Sequence, residues 1–216
     1  MSNPFELNTN LKVEVEVFRN SNIYRIDNFY RYPDRVLELL QKYPMVKYKP
    51  TMAPNLPSFN HIHFYDDRHM ELSEMVTPVY DFLSKVCGQD VLFTRRTIQT
   101  NVFRFIRSGG FNTYHDSYWH PHRDFGYNGL VYLNQNDNTH GTNLYEKTTN
   151  EYVRSEEHYN PWQPKNEWKI LKKLEPKFNR LVLFDGKKFY HGMNITSDKY
   201  FDSECRINQP YFFKQA

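Results

Sequence analysis

Cysteine is nearly absent from this chain: its 216 residues include only Cys87 and Cys205, too few for a disulfide framework and without the CxxC spacing of a zinc or redox motif. That excludes the stapled secreted scaffolds and makes a reducing compartment the expectation. Long apolar runs are missing as well, so no stretch reaches membrane-spanning length. The opening MSNPFELNTN has neither the basic nor the apolar region of a secretory signal, and a cytoplasmic protein that engages no membrane is expected. Glycine is sparse at 8 residues and the 12 prolines are scattered, so no Gly/Ser or Pro-rich linker divides the chain. With no linker and no internal repeat, residues 1–216 are expected to form a single domain. A dominant charge of one sign is also lacking. The net charge of +3 and pI near 8.7, with acidic and basic residues interleaved, argue only weakly for nucleic acid.

Aromatic residues, by contrast, are plentiful: 17 Tyr, 17 Phe and 3 Trp suit the pleated, half-buried surface of strands and read first as core. Residues 12–18 alternate Val13, Val15 and Val17 with Lys12, Glu14 and Glu16, the two-residue period of a half-buried strand, and Asn20 to Asn22 breaks it. Residues 33–43 predict a helix opening on Pro33 and Asp34 and stopping at Pro44. Residues 72–86 predict a second, through Leu72, Met75, Val76, Val79 and Leu83, with a kink at Pro78 and a stop at Gly88. Residues 1–96 thus read as supporting strands and helices.

From residue 97 the pattern changes to short strands at 98–106, 129–134, 143–147, 180–184, 188–193 and 205–213, divided by turns. The fold class expected is mainly β with flanking helices, a sandwich or barrel-like closure over residues 97–216. Residues 148–177, dotted with Tyr152, Tyr159, Trp162 and Trp168, read as an overlong connection expected to border a site and cover it. Gly109-Gly110 followed by Phe111, Tyr114, Tyr118 and Trp119 reads as a second aromatic segment of that kind.

The chemistry concentrates in TYHDSYWHPHRDF, where His122 and Asp124 form an H-x-D pair. Two residues apart on a strand, an imidazole and a carboxylate point to one face and can converge on one cation, with Arg123 turned away. His191 in RLVLFDGKKFYHG, after a strand and an Asp-Gly turn, is placed to complete the set. Two His and one carboxylate take one face of an octahedral ion and leave three positions open, as in non-haem Fe(II) oxygenases; zinc more often takes a closed tetrahedral set. Alone, an H-x-D tripeptide is weak evidence and reads first as a surface turn.

The features that follow it, GLVYLN, HGTNLYE, FNRLVLFDGKKFYHG and CRINQPYFF, form a succession that resembles the 2-oxoglutarate/Fe(II) dioxygenase superfamily, particularly its prolyl-hydroxylase-like branch. The resemblance implies a double-stranded β-helix, the jelly roll or cupin-like sandwich, with Fe(II), 2-oxoglutarate and O₂ as its chemistry. It implies that His122 and Asp124 lie near the second core strand and His191 on the seventh, as metal ligands and catalytic centre. Arg206 on the eighth strand would bind the remote carboxylate of 2-oxoglutarate, a role suited to a planar guanidinium, and Tyr132 of the YLN would assist it. Arg104 and Arg180 are the next cations to consider for that carboxylate. The spacing from His191 to Arg206 is long and requires a bulge or loop between them, and the family's double glycine is reduced here to Gly141-Thr142. The implied activity is hydroxylation, with a peptide or small molecule as substrate ahead of nucleic acid and peptidyl-proline leading. A catalytically inactive jelly-roll ligand-binding protein and a nucleic-acid-modifying oxygenase are the alternative readings.

Other histidines carry less. His61 and His63, with Asp66 and Asp67 nearby, share one face of a strand but have no downstream partner in order, and read as polar residues lining a sheet or cleft. His115 and His120 flank the H-x-D and read first as solvated loop histidines, or else as residues that bind a substrate or orient the ligands. His69, His140 and His158 are assigned no role.

Overall fold

Alternation of apolar side chains commits most of this chain to strands, and the strands that are apolar at every position are those buried on both faces. The computed structural model describes residues 3–40, 46–48, 59–63, 70–88, 99–105, 118–119, 121–124, 126–135, 138–148, 163–196, 199, 204 and 206–214. Within them the elements run β1 (Val13–Phe18), β2 (Ser21–Ile26), α1 (Pro33–Leu40), β3 (Val46–Tyr48), β4 (Phe59–His63), α2 (Met70–Cys87) and β5 (Gln99–Phe105). Then follow β6 (Tyr118–Trp119), β7 (Gly126–Tyr132), β8 (His140–Lys147), β9 (Gln163–Pro164), a 3₁₀ turn, β10 (Trp168–Leu174), β11 (Arg180–Asp185), β12 (Tyr190–Ile195) and β13 (Arg206–Lys214).

The large sheet orders its eight strands β1-β2-β11-β7-β13-β5-β4-β3, the small one β10-β8-β12, and β6 pairs with β9. All described pairings are antiparallel. On β11 the apolar run divides by period two. Leu181 and Leu183 face the helices with Val36 of α1 and Val76, Val79, Tyr80 and Leu83 of α2, while Val182 and Phe184 face the small sheet with Leu130, Tyr132, Leu144 and Leu174. Both faces are dry, which is why LVLF shows no polar alternation. The molecule is therefore mainly β, with both helices on the large sheet and the second sheet packed on its other face.

Several local expectations hold and several do not. Pro33 opens α1, and α2 runs through Pro78 to a terminal Gly88 whose φ of 65° is the left-handed conformation glycine tolerates at a helix C-terminus. The break at Asn20 is a hairpin: Arg19 and Asn20 take positive φ of 47° and 57° and return the chain as β2, a strand the sequence pattern left unread. The valine face of β1 is only partly buried, since Val15 is 54% and Val17 73% exposed at the sheet edge. Residues 148–177 are not one long connection. Trp168–Leu174 pairs with β8 through a register shift and completes the small sheet, so only residues 149–162 of that stretch lie outside the description. No helix among the described residues is long and apolar enough to cross a membrane.

Candidate metal centre

The H-x-D segment is not a strand of either sheet but an extended stretch pinned at both ends. His122 exchanges backbone hydrogen bonds with His191, N to O at 2.9 and 2.8 Å, and the Asp124 N–H donates to the Gly186 carbonyl at 3.0 Å. The first contact fixes the segment to β12 and the second to the turn after β11. Arg123, between the two ligands, turns outward as the two-residue period requires and lays its guanidinium 4.0 Å from the centroid of the Tyr190 ring. A cation–π contact of this kind fastens the segment from its outer side.

Convergence follows from that pinning. Ligand atoms of His122, Asp124 and His191 all lie within 4.8 Å of one another. The two imidazole rings stand 4.4 Å apart, Asp124 Oδ2 is 3.1 Å from His191 Nε2, and His191 is buried with Phe184 packed edge-on at 5.0 Å. His191 Nδ1 lies 3.1 Å from the Phe189 carbonyl, which can only accept, so Nδ1 carries the hydrogen and Nε2 faces Asp124. A lone pair on Nε2 and a carboxylate oxygen are both acceptors 3.1 Å apart, a pair that one metal ion could bridge. The spacing suits a metal: donors held about 2.1 Å from an octahedral ion are about 3 Å apart along an edge. Burial by itself would raise the Asp124 carboxyl. The His191 hydrogen bond, the His191 and His122 charges and an N–H from Asn128 outweigh it and hold the group well below the usual carboxylate range. Asp124 is therefore a carboxylate at neutral pH.

A buried polar lane leads away from this cluster between the sheets. Along β7, Asn128, Leu130 and Tyr132 point inward, and inside β8 lie His140, Thr142 and Leu144. Leu144 is opposite His191 and Thr142 opposite Met193, so Thr142 stands two residues, roughly 7 Å, further along the small sheet from the cluster. The Tyr132 hydroxyl donates to Thr142 Oγ1 at 2.9 Å, and burial pushes it up to about 12, so it remains a protonated donor. The His140 ring packs edge-on to Tyr132 at 5.6 Å.

Arg206 closes the lane. It opens β13, opposite Phe103 of β5 and two residues before Asn208, which faces Tyr132. Its guanidinium is wholly buried, donating Nε to the His140 carbonyl at 3.0 Å, Nη1 to Asn208 Oδ1 at 3.0 Å and Nη2 to the Gly141 carbonyl at 3.2 Å. These three acceptors orient the guanidinium. Gly141 has a reason of its own, since a Cβ there would meet the Leu174 carbonyl at 2.7 Å. Thr142, where the resemblance leads one to expect a second glycine, supplies the hydroxyl that Tyr132 binds.

The structure thus brings His122, Asp124 and His191 together and puts Tyr132 and Arg206 further along the inner face of the large sheet. Arg180 instead forms a two-pronged pair with Asp27 at 2.6 and 3.1 Å. The side chains of Arg104, His61 and His63, and residues 66, 67, 69, 115, 120 and 158, lie outside the described residues, as does the Gly109-Gly110 segment up to residue 117. Asn128 and Gly186 went unread. The available signal was an inward-facing amide on the otherwise apolar face of β7, visible only once the register is known.

A scan of protein-family models and a search of curated proteins each find no match for this chain. Among solved structures, it is similar to the crystal structure of an oxidoreductase of the 2OG-Fe(II) oxygenase family from Burkholderia pseudomallei. The TM-score is 0.53 at 10% sequence identity, with 90% of this chain and 84% of that chain covered. At that identity the likeness shows the fold alone.

Proposed function

We propose that this protein is a non-haem Fe(II), 2-oxoglutarate-dependent dioxygenase that hydroxylates its substrate, built on a double-stranded β-helix. The observation that carries the reading is the convergence of His122, Asp124 and His191, with ligand atoms all within 4.8 Å of one another; Tyr132 and the buried Arg206 lie further along the inner face of the large sheet. Two imidazoles and one carboxylate suit Fe(II) and keep positions open for a chelating oxoacid and O₂. Bound there, iron with 2-oxoglutarate and O₂ supplies the oxidising power for C–H hydroxylation; the protein supplies placement.

Each residue then has a defined task. His122, Asp124 and His191 hold the ion, the last with its tautomer set by the Phe189 carbonyl. Arg206 receives the remote carboxylate of 2-oxoglutarate through its planar guanidinium, which the His140 and Gly141 carbonyls and Asn208 orient. Tyr132 turns its hydroxyl from Thr142 to the same carboxylate or donates to it through Thr142. The apolar residues Leu130, Leu144, Val182 and Phe184 around the lane exclude water from the reacting end. A peptide or small molecule is the substrate class we favour over nucleic acid, because basic residues are interleaved with acidic ones.

The test is product formation without a known substrate. Incubated in air with Fe(II) and 2-oxoglutarate, the protein is expected to release succinate slowly through uncoupled turnover, and chelation of the metal should stop it. Succinate no higher than in a protein-free blank, from protein loaded with iron, would sink the assignment.

A further inference from the structure

A side chain outside the three ligands touches two of them. Asn128 Nδ2 donates to Asp124 Oδ2 and lies 2.9 Å from His191 Nε2, so one amide group contacts the carboxylate and the imidazole together. The residue is 2% exposed on the inner face of β7, opposite Phe184 and Phe212. Its seat is made by a missing side chain: a Cβ on Gly186 would lie 2.8 Å from Asn128 Oδ1 and 2.9 Å from the Gly126 carbonyl oxygen. The same Gly186 accepts the Asp124 N–H, so one turn seats both the ligand and the amide that touches it.

The other end of the amide is unfavourable. Asn128 Oδ1 is fully buried with no hydrogen-bond partner among the described residues. An interior position opposite two phenylalanines would accept leucine of similar volume and avoid that orphaned oxygen. Only the Nδ2 end has a compensating use, and that use is at the candidate ligands.

We propose that Asn128 is a positioning residue of the metal centre, its Nδ2–H group fixing the Asp124 carboxylate beside the His191 ring in the orientation that binds a divalent ion. This rests on the metal reading above. Outer partners of metal ligands typically govern affinity by about 10–100-fold when removed. A residue retained for packing behaves differently, since its replacement by an apolar isostere changes stability and leaves the ion's surroundings alone.

Asn128→Leu is therefore expected to weaken Co(II) binding by about 10–100-fold and to alter the visible Co(II) spectrum, while the thermal midpoint of the metal-free protein does not fall. Equal Co(II) affinity and an unchanged spectrum in the variant would overturn the proposal. Should the variant fail to fold, the parent still decides: the Nδ2 amide protons of Asn128 must shift on adding one equivalent of diamagnetic Zn(II), and unmoved resonances overturn it equally. A parent protein that binds neither ion refutes the metal reading itself, whereas a parent that binds and a variant that matches it refute only the role of Asn128.

Discussion

Asp124→Ala is expected to abolish divalent-metal binding, weakening it well beyond the roughly 10–100-fold that loss of an outer partner costs. The ligand set would fall from two imidazoles and a carboxylate to two neutral imidazoles, with no anionic donor left among the three. Asp124 is the residue whose charge the site is arranged to keep, since His191, His122 and Asn128 together outweigh the penalty of burying it. Asp124→Asn separates charge from shape: it preserves the side-chain outline and should lose nearly as much affinity. Anaerobic Fe(II) titration of the parent and both variants measures this, with circular dichroism to check that the fold is kept. Retention of parental affinity in Asp124→Ala would remove the residue from the ligand set.

At the far end of the lane, Arg206→Ala should raise the 2-oxoglutarate requirement by roughly a hundredfold or more and leave Fe(II) affinity nearly intact. Stripping a buried carboxylate of its charged hydrogen-bonding partner typically costs a few kcal/mol. Metal affinity is expected to be spared because the guanidinium's described hydrogen bonds go to the His140 and Gly141 carbonyls and to Asn208. Arg206→Lys keeps the charge but loses the planar fork, so its loss should fall between the parent and alanine. Tyr132→Phe should have a milder effect, because it removes one neutral hydroxyl and frees Thr142. Calorimetric titration of 2-oxoglutarate into Mn(II)-loaded protein reads each case. Parental affinity in Arg206→Ala would place the remote carboxylate elsewhere.

Which of this was legible in the sequence depends on whether a residue's role is local. His122 and Asp124 are two residues apart, so any extended backbone turns them to one side, and that held even though the segment belongs to neither sheet. His191 follows the apolar RLVLF strand and an Asp-Gly turn, whereas Arg206 was singled out only by the family resemblance, its register open; Gln209 and Tyr211, facing Tyr30 near the helices, put Arg206 on the opposite, inner face of β13. What failed was whatever depends on a partner distant in sequence. WKILKKL reads as a polar connection because the lysines at 169, 172 and 173 interrupt the pattern, yet Lys172 is carried inward by pairing with Glu16 at 2.6 Å across the edge. Asn128 gave no signal at all, since an asparagine amid GYNGLVY acquires meaning only from the register that sets it beside Asp124 and His191. The hairpin at Asn20 was visible as an interruption, but not as a turn into another strand.

The measurement that bears most directly on the central claim is an anaerobic titration of the parent protein with Fe(II) and 2-oxoglutarate, followed by visible absorption. If iron is held by His122, Asp124 and His191 with positions left open for the oxoacid, a charge-transfer band should appear only when both are present. It should saturate at one Fe(II) and one 2-oxoglutarate per chain. No band with both components present at saturating concentration, or Fe(II) bound with an absorption that 2-oxoglutarate does not change, would contradict the account.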